Sequence, residues 1–434
     1  MPEEMNLTIR ISIFGLLTAI SILWPPSVVA ATLPQAAARQ IDKRDRQLWR
    51  QAVTPYLRKD LWRTYAAYYA GHSLMVPLHA AFQKGETQWQ KEMGEHFTRF
   101  MEDGKTNFVD NVLVREQYLY LCSRFLVLAN QAGRVDLIPA GLENLLMEEV
   151  GRLWKDQPWP KWNGKKFTGI RDSVLWRLQV DSAPRSYYRA IDDRDLFLLA
   201  LAAELRHNEL VTGRKRAKAE TELIDDVLAV AKEVFQRRVV YDNQGRWVFQ
   251  PGVWADHPDF VYAGNPALAP RLQPRKVPDV AEDSSHSHRM PMWLTSFAQA
   301  YPRGSTDRRY YESLKRGLEK QFYEKVLVPP SPEFPGYRMT NFMDGRNGVY
   351  RWEYKGIGKN NGYGPYAVSG ALLEGWWSFL DSPRIREVYQ KMAAQFPLPA
   401  EVEALYLGPG RASSAHVGEI RELIVRLAGK LDSP

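Results

Sequence analysis

Two carboxylates, two imidazoles and a guanidinium fall within eight positions of the segment Ala281-Glu-Asp-Ser-Ser-His-Ser-His-Arg-Met-Pro-Met-Trp293. Glu282, Asp283, His286, His288 and Arg289 bring together groups that give or take a proton, groups that orient them and a fixed positive charge. Pro291 suits a first helical turn and disfavours helical geometry just before it, which predicts that both histidines sit on a loop or N-cap at a helix entrance. The positive end of that helix keeps an imidazole neutral and able to accept a proton, and it welcomes anionic substrate groups. A capping network of Asp283, Ser284 and Ser285 around structural histidines has the same composition, so both readings stand at this point.

A second constellation is Tyr350-Arg-Trp-Glu-Tyr-Lys-Gly-Ile-Gly-Lys-Asn-Asn-Gly-Tyr-Gly-Pro-Tyr366, just ahead of an apolar run. Asn360 and Asn361 are neutral amides able to grip a carboxylate, and Tyr363 and Tyr366 are candidate proton donors. Arg351, Trp352 and Tyr354 are candidates for substrate binding, and the glycines let the backbone approach a ligand closely. A third cluster runs from Tyr65 to Phe82, where His72, Val76 and His79 lie near one face of a helix kinked at Pro77. A lone histidine on an apolar helix is ordinarily a core residue, but His72 would meet the other clusters if that face lines a cavity. Zinc is a conceivable partner for His286, His288, Glu282, Asp283 and His72, but their spacing matches no zinc signature, so no metal is expected. The chain has no nucleophile elbow, P-loop or dinucleotide fingerprint, so no cofactor is expected either.

Amphipathic helical stretches must position these groups, with apolar residues three and four apart and breaks at Pro or Gly. Twelve are expected: 33–53, 57–83, 87–101, 111–132, 136–154, 190–210, 218–237, 290–301, 307–326, 365–380, 383–396 and 413–431. Only residues near Arg246 to Gln250 alternate as a strand would. Twelve helices in antiparallel pairs, with no solenoid repeat, predict an all-α (α/α)6 toroid of six hairpins around a central cavity. Three connections, 155–189, 239–287 and 327–364, exceed ordinary loop lengths and are expected at one mouth of that cavity. They carry Trp159, Trp162, Trp176, Trp247, Trp254, Tyr337, Tyr350, Trp352, Tyr354 and Tyr363, rings that stack on sugar faces or pack the loops down.

Compartment and charge narrow the partners. Residues 1–30 read as a signal peptide: Arg10 precedes an apolar run from Ile11 to Trp24 that is too short to span a bilayer, and Val28-Val29-Ala30 offers small residues for cleavage. Glu3 and Glu4 are out of place there, and Met5 is an alternative start. Residues 31–434 are expected as one domain, free in the periplasm or secreted, with no stable membrane anchor. The only cysteine is Cys122, so no internal disulfide can form and a buried core must supply the stability. The net charge is +8, and loss of Glu3, Glu4 and Arg10 leaves the remainder slightly more basic. Outside the cytoplasm nucleic acid is not the expected partner of such a surface; an acidic polysaccharide or another glycan is.

The exported helical-hairpin layout, the step from Glu282 through Asp283 to His286 at a helix entrance, and the loop from Asn360 and Asn361 to Tyr366 resemble the (α/α) toroid carbohydrate-active proteins, especially polysaccharide lyases. The resemblance is architectural over the mature chain and motif-level over two short stretches. This chain has Asn-Asn-Gly-Tyr where alginate-lyase-like toroids carry Asn-Asn-His. The resemblance implies β-elimination on a uronate-containing polysaccharide, with Asn360, Asn361 and Arg289 neutralising the carboxylate and His286, or failing it His288, taking the proton. Tyr363 or Tyr366 would then protonate the leaving oxygen, while Glu282 or Asp283 orients the imidazole. The alternatives are a six-hairpin glycoside hydrolase using two carboxylates from Glu282, Asp283, Asp344 and Glu353, or a glycan-binding protein without catalysis.

Overall fold

The computed structural model describes residues 40–160, 164–358, 360–408 and 415–432. The expected signal peptide, the start of the expected first helix and Trp162 lie outside the described residues. Helix accounts for 59% of the structure and strand for 5%, which settles the class as all-α. In chain order the helices are α1 (Lys43–Leu48, running on through the π turn Trp49–Val53 into Thr54–Leu57), α2 (Ala66–Gln83), α3 (Thr87–Asn107), α4 (Val112–Gln131), α5 (Leu142–Gly151), α6 (Ile170–Gln179), α7 (Asp193–Thr212) and α8 (Lys218–Arg238). They continue with α9 (Ser284–Ser287), α10 (Met290–Gln299), α11 (Thr306–Gln321), α12 (Pro383–Ala393), α13 (Ala400–Leu407) and α14 (Ala415–Ala428). No helix among the described residues is long and apolar enough to cross a membrane.

Burial separates the helices into two kinds. Every residue of α10 is buried, and α2, α4 and α7 are buried along most of their length. A helix that is apolar on all sides belongs inside. By contrast α11 buries only Tyr311, Leu314, Gly317, Leu318 and Gln321, and α12 only Ile385, Val388, Tyr389 and Met392. One such stripe at helical spacing marks a helix with its other face in water. The buried helices touch in chain order, α2 against α4, α4 against α7 and α7 against α10. Next α10 meets the turn Trp376–Leu380, and α14 contacts both Ser369–Glu374 and α2.

Several expected boundaries are corrected. The helix expected over 57–83 begins only at Ala66, after a turned segment in which Thr64 has φ 52°. The helix expected over 365–380 is two 3₁₀ stretches, Ser369–Glu374 and Trp376–Leu380, hinged at Gly375 with φ 77°. A side chain at Gly375 would come within 2.8 Å of Ile424 and 3.0 Å of Val76, so the hinge permits both the turn and close packing. The connection 155–189 holds α6 and a short hairpin, Trp159–Pro160 with Lys166–Phe167. Strands Val239–Tyr241 and Trp247–Phe249 pair where alternation was expected, and Leu327–Val328 with Arg338–Met339 adds a third hairpin.

Candidate active site

Asp283 is the N-cap of α9, and its side chain accepts the main-chain N–H groups of Ser285 and His286, each at 3.1 Å. The same carboxylate accepts His286 Nδ1–H at 2.7 Å and the Tyr350 hydroxyl at 3.1 Å. Burial alone would raise its pKa. His286, Arg351 and the hydrogen bonds instead hold it well below the usual carboxylate range. The turn is pinned from its other side, where Ser284 N–H donates to Asn341 O and Met343 N–H to Glu282 O, each at 2.9 Å. The capping reading and the chemical reading are therefore both true of Asp283. His286 keeps 29% of its side chain exposed, and its Nε2 has no hydrogen-bond partner among the described residues.

The next residues on this turn face inward. His288 and Arg289 are buried. Arg289 forms an ion pair with Asp193 at the start of α7, and donates from Nε to His72 Nε2 at 2.9 Å and from Nη2 to the Tyr68 hydroxyl at 2.9 Å. His288 Nε2 lies 2.7 Å from Glu374 Oε2, at the end of the first 3₁₀ stretch. Burial disfavours charge on Glu374, but His72, His288 and Arg289 together hold its pKa well below normal. Burial drives His72 down to about 3, outweighing the pull of Glu374, so its ring is neutral.

Glu282 moves the opposite way. Burial, with the charges of Asp193 and Asp283, raises its pKa to about 8, although Gln250 and Trp254 donate to its Oε1 at 2.7 and 3.2 Å. It is a neutral carboxyl at pH 7, able to donate a hydrogen bond to an anionic group. Arg351 links the clusters electrostatically, because its charge acts on Tyr68, His257 and Asp283 alike. It is paired to Asp259 at 2.9 Å, and its guanidinium lies over the rings of Tyr350 and Tyr354.

The structure thus gathers His286, His288, Arg289, Glu282, Asp283, Arg351, Trp254 and His72. Tyr363 joins through Tyr350, with which it exchanges main-chain hydrogen bonds and stacks at 6.1 Å. Other expected residues stand differently. Arg289 is fully occupied within the protein, so it positions neighbours and does not hold a substrate. Trp352 is buried at 3% exposure in a satellite core with Tyr262 and Val349, because Gly362 packs directly on its backbone. Asn361 is tied to Ile357 O and Gly362 N–H of its own loop, Asn360 is exposed with φ 58°, and the ring of Tyr366 lies under Arg338. Tyr354 is 42% exposed. For the hydrolase reading, Asp344 is committed to Ala281 N–H and Arg346, and Glu353 is exposed.

Sequence reasoning missed Tyr68, Asp193, Tyr350 as the partner of Asp283, and Glu374. Glu374 left one signal, a lone carboxylate inside the apolar run Ala371 to Leu380. Asp193 left none, since it stands in a helix start already explained by the capping box of Asp192 and Asp195. A separate cavity of about 510 Å³, lined by Gln299, Arg308, Lys315 and Arg384, lies at the other end of α10 from Arg289 and does not belong to this site. Comparison with family models, characterised proteins and solved structures gives no match for this chain.

Proposed function

We propose that this protein is an exported enzyme of (α/α) toroid type that cleaves an acidic, uronate-containing polysaccharide by β-elimination. The observation that carries the reading is the Asp283 and His286 dyad, a buried carboxylate fixing Nδ1–H of a half-open imidazole whose Nε2 has no partner among the described residues. A general base needs that orientation and that access. The order of contacts among the buried helices, with α14 returning to α2, supports the toroid.

In this mechanism His286 removes the proton next to the uronate carboxylate. Glu282, protonated near neutrality, donates to that carboxylate and spreads the charge that develops on it, and Arg351 adds a fixed positive field. Tyr68 accepts a hydrogen bond from Arg289, which leaves its own O–H to protonate the departing glycosidic oxygen. Tyr363, whose hydroxyl has no protein partner among the described residues, is the second candidate for that step. Expected product is an unsaturated uronate, read by its ultraviolet absorbance when purified protein is offered alginate, glucuronan, pectate and glycosaminoglycans.

A second reading has its own observation. Glu282 is pushed up to about 8 while Glu374 is held low, the separation that lets one carboxyl act as acid and another as base or nucleophile in a glycoside hydrolase. Saturated reducing ends in the same assay would select it, and binding without cleavage would select a glycan-binding protein.

A further inference from the structure

Three separate elements, α2, the turn before α10 and the 3₁₀ stretch Ser369–Glu374, bring His72, His288 and Glu374 to one point. His72 Nε2, His288 Nε2 and a Glu374 oxygen lie within 4.8 Å of one another. Each ring is oriented through its other nitrogen, His72 Nδ1–H donating to Tyr68 O at 3.0 Å and His288 Nδ1–H to Ser285 O. Those bonds select the tautomer with a lone pair on Nε2, and metal-binding histidines are held in the same way. Glu374 Oε2 is 2.7 Å from His288 Nε2, but the two are not aligned for a hydrogen bond, and both atoms are fully buried with no other partner. Lone pairs facing each other at that distance repel unless a proton or a metal ion is shared between them.

We propose that His72, His288 and Glu374 bind one divalent ion of the zinc class through Nε2, Nε2 and Oε2, with the remaining position left for water or substrate. Two imidazoles and a carboxylate are a donor set that zinc accepts, and a catalytic zinc keeps one position for water or substrate. Oε2 is 2.7 Å from one ring nitrogen and 3.9 Å from the other. Those separations bracket the roughly 3.3 Å between ligands placed tetrahedrally about 2.0–2.2 Å from zinc. Glu374 keeps 35% of its side chain accessible, although Oε2 itself is buried. Arg289 Nε donates to His72 Nε2, and the ion takes over that lone pair. The guanidinium must swing away from His72 to admit the ion, keeping its pair with Asp193, which offsets its charge and leaves Glu374 to meet the ion. The sequence led to no expected metal; of the five residues weighed there as zinc ligands, the assignment keeps His72 and His288 and drops His286, Glu282 and Asp283. It rests on the proposed function in one respect only, that the ion's open position would take a substrate carboxylate.

The test is to strip purified full-length protein with a chelator and titrate it with zinc chloride by calorimetry, with metal content measured after dialysis. One zinc per chain is expected, with affinity reduced at least tenfold in H288A and in E374Q and unchanged in H286A. Absence of stoichiometric zinc, or equal binding by H288A and E374Q, overturns the assignment. If those variants do not fold by circular dichroism, X-ray absorption of the zinc-loaded wild type decides: two imidazole nitrogens are expected, and fewer overturn it. Zinc bound to a protein without lyase activity leaves this inference standing and removes the proposed function. A lyase that binds no zinc does the reverse.

Discussion

The Asp283 carboxylate accepts His286 Nδ1–H at 2.7 Å while also capping the helix turn that carries His286. One side chain therefore fixes both where the imidazole stands and which nitrogen bears its hydrogen. Asp283→Asn keeps the shape and donates an N–H toward Nδ1, which turns the ring's lone pair away from substrate. The expected result is a loss of turnover by about 10² to 10⁴ with a KM close to wild type, the range general-base catalysis contributes. A pH-rate profile of D283N that matches wild type would show that the dyad is structural.

Glu282 ties stability to pH. Its folded pKa of about 8 lies above the ordinary 4.5, so between those values the unfolded chain gives up a proton that the folded protein keeps. Stability is full below about 4.5 and falls as pH rises through 8. Glu282→Gln removes that slope, and thermal melts should show the variant gaining most over wild type at pH 8 and least at pH 4. The same variant separates the two reactions. An amide still donates a hydrogen bond to a uronate carboxylate and keeps much lyase activity, but it cannot protonate a leaving group and abolishes hydrolysis.

Arg289 is a positioning residue. Arg289→Lys cannot serve Asp193, His72 and Tyr68 together, because an ammonium lacks the guanidinium fork. Breaking a buried ion pair costs about 3–5 kcal/mol, and the lower end applies because Asp193 is partly exposed. Urea denaturation measures the loss, and unchanged stability would mean that this network is loose in solution.

Trp352 and Tyr354 should part company. Trp352→Ala is expected to destabilise the fold by about 3–5 kcal/mol through the cavity it leaves, with little specific effect on binding. Tyr354→Ala, at an exposed ring beside Arg351, is expected to leave the melting temperature within a few degrees of wild type and to weaken polysaccharide binding several-fold. Equal effects of both on stability would place Tyr354 in the packing as well.

Local pattern was enough for some of this protein. The apolar spacing of α4 and α11 is written in neighbouring residues, so those helices were legible and end within a few residues of expectation, and in the structure Asn111 and Ser305 cap them. Pro291 and Asp283 likewise announced a helix entrance carrying two histidines. Tertiary structure decided what local pattern leaves open. The run Pro365 to Leu380 has helical composition, but Gly375 takes a left-handed conformation to pack on Val76 and Ile424, and the helix becomes two 3₁₀ turns. That change sets Glu374 beside His288 and His72, residues 86 and 302 positions away in the chain. Trp352 and Tyr354 are two residues apart and alike in sequence, yet one closes a small core and the other faces solvent. Burial and charge pairing depend on which distant segments meet, and spacing along one strand of sequence carries no record of that.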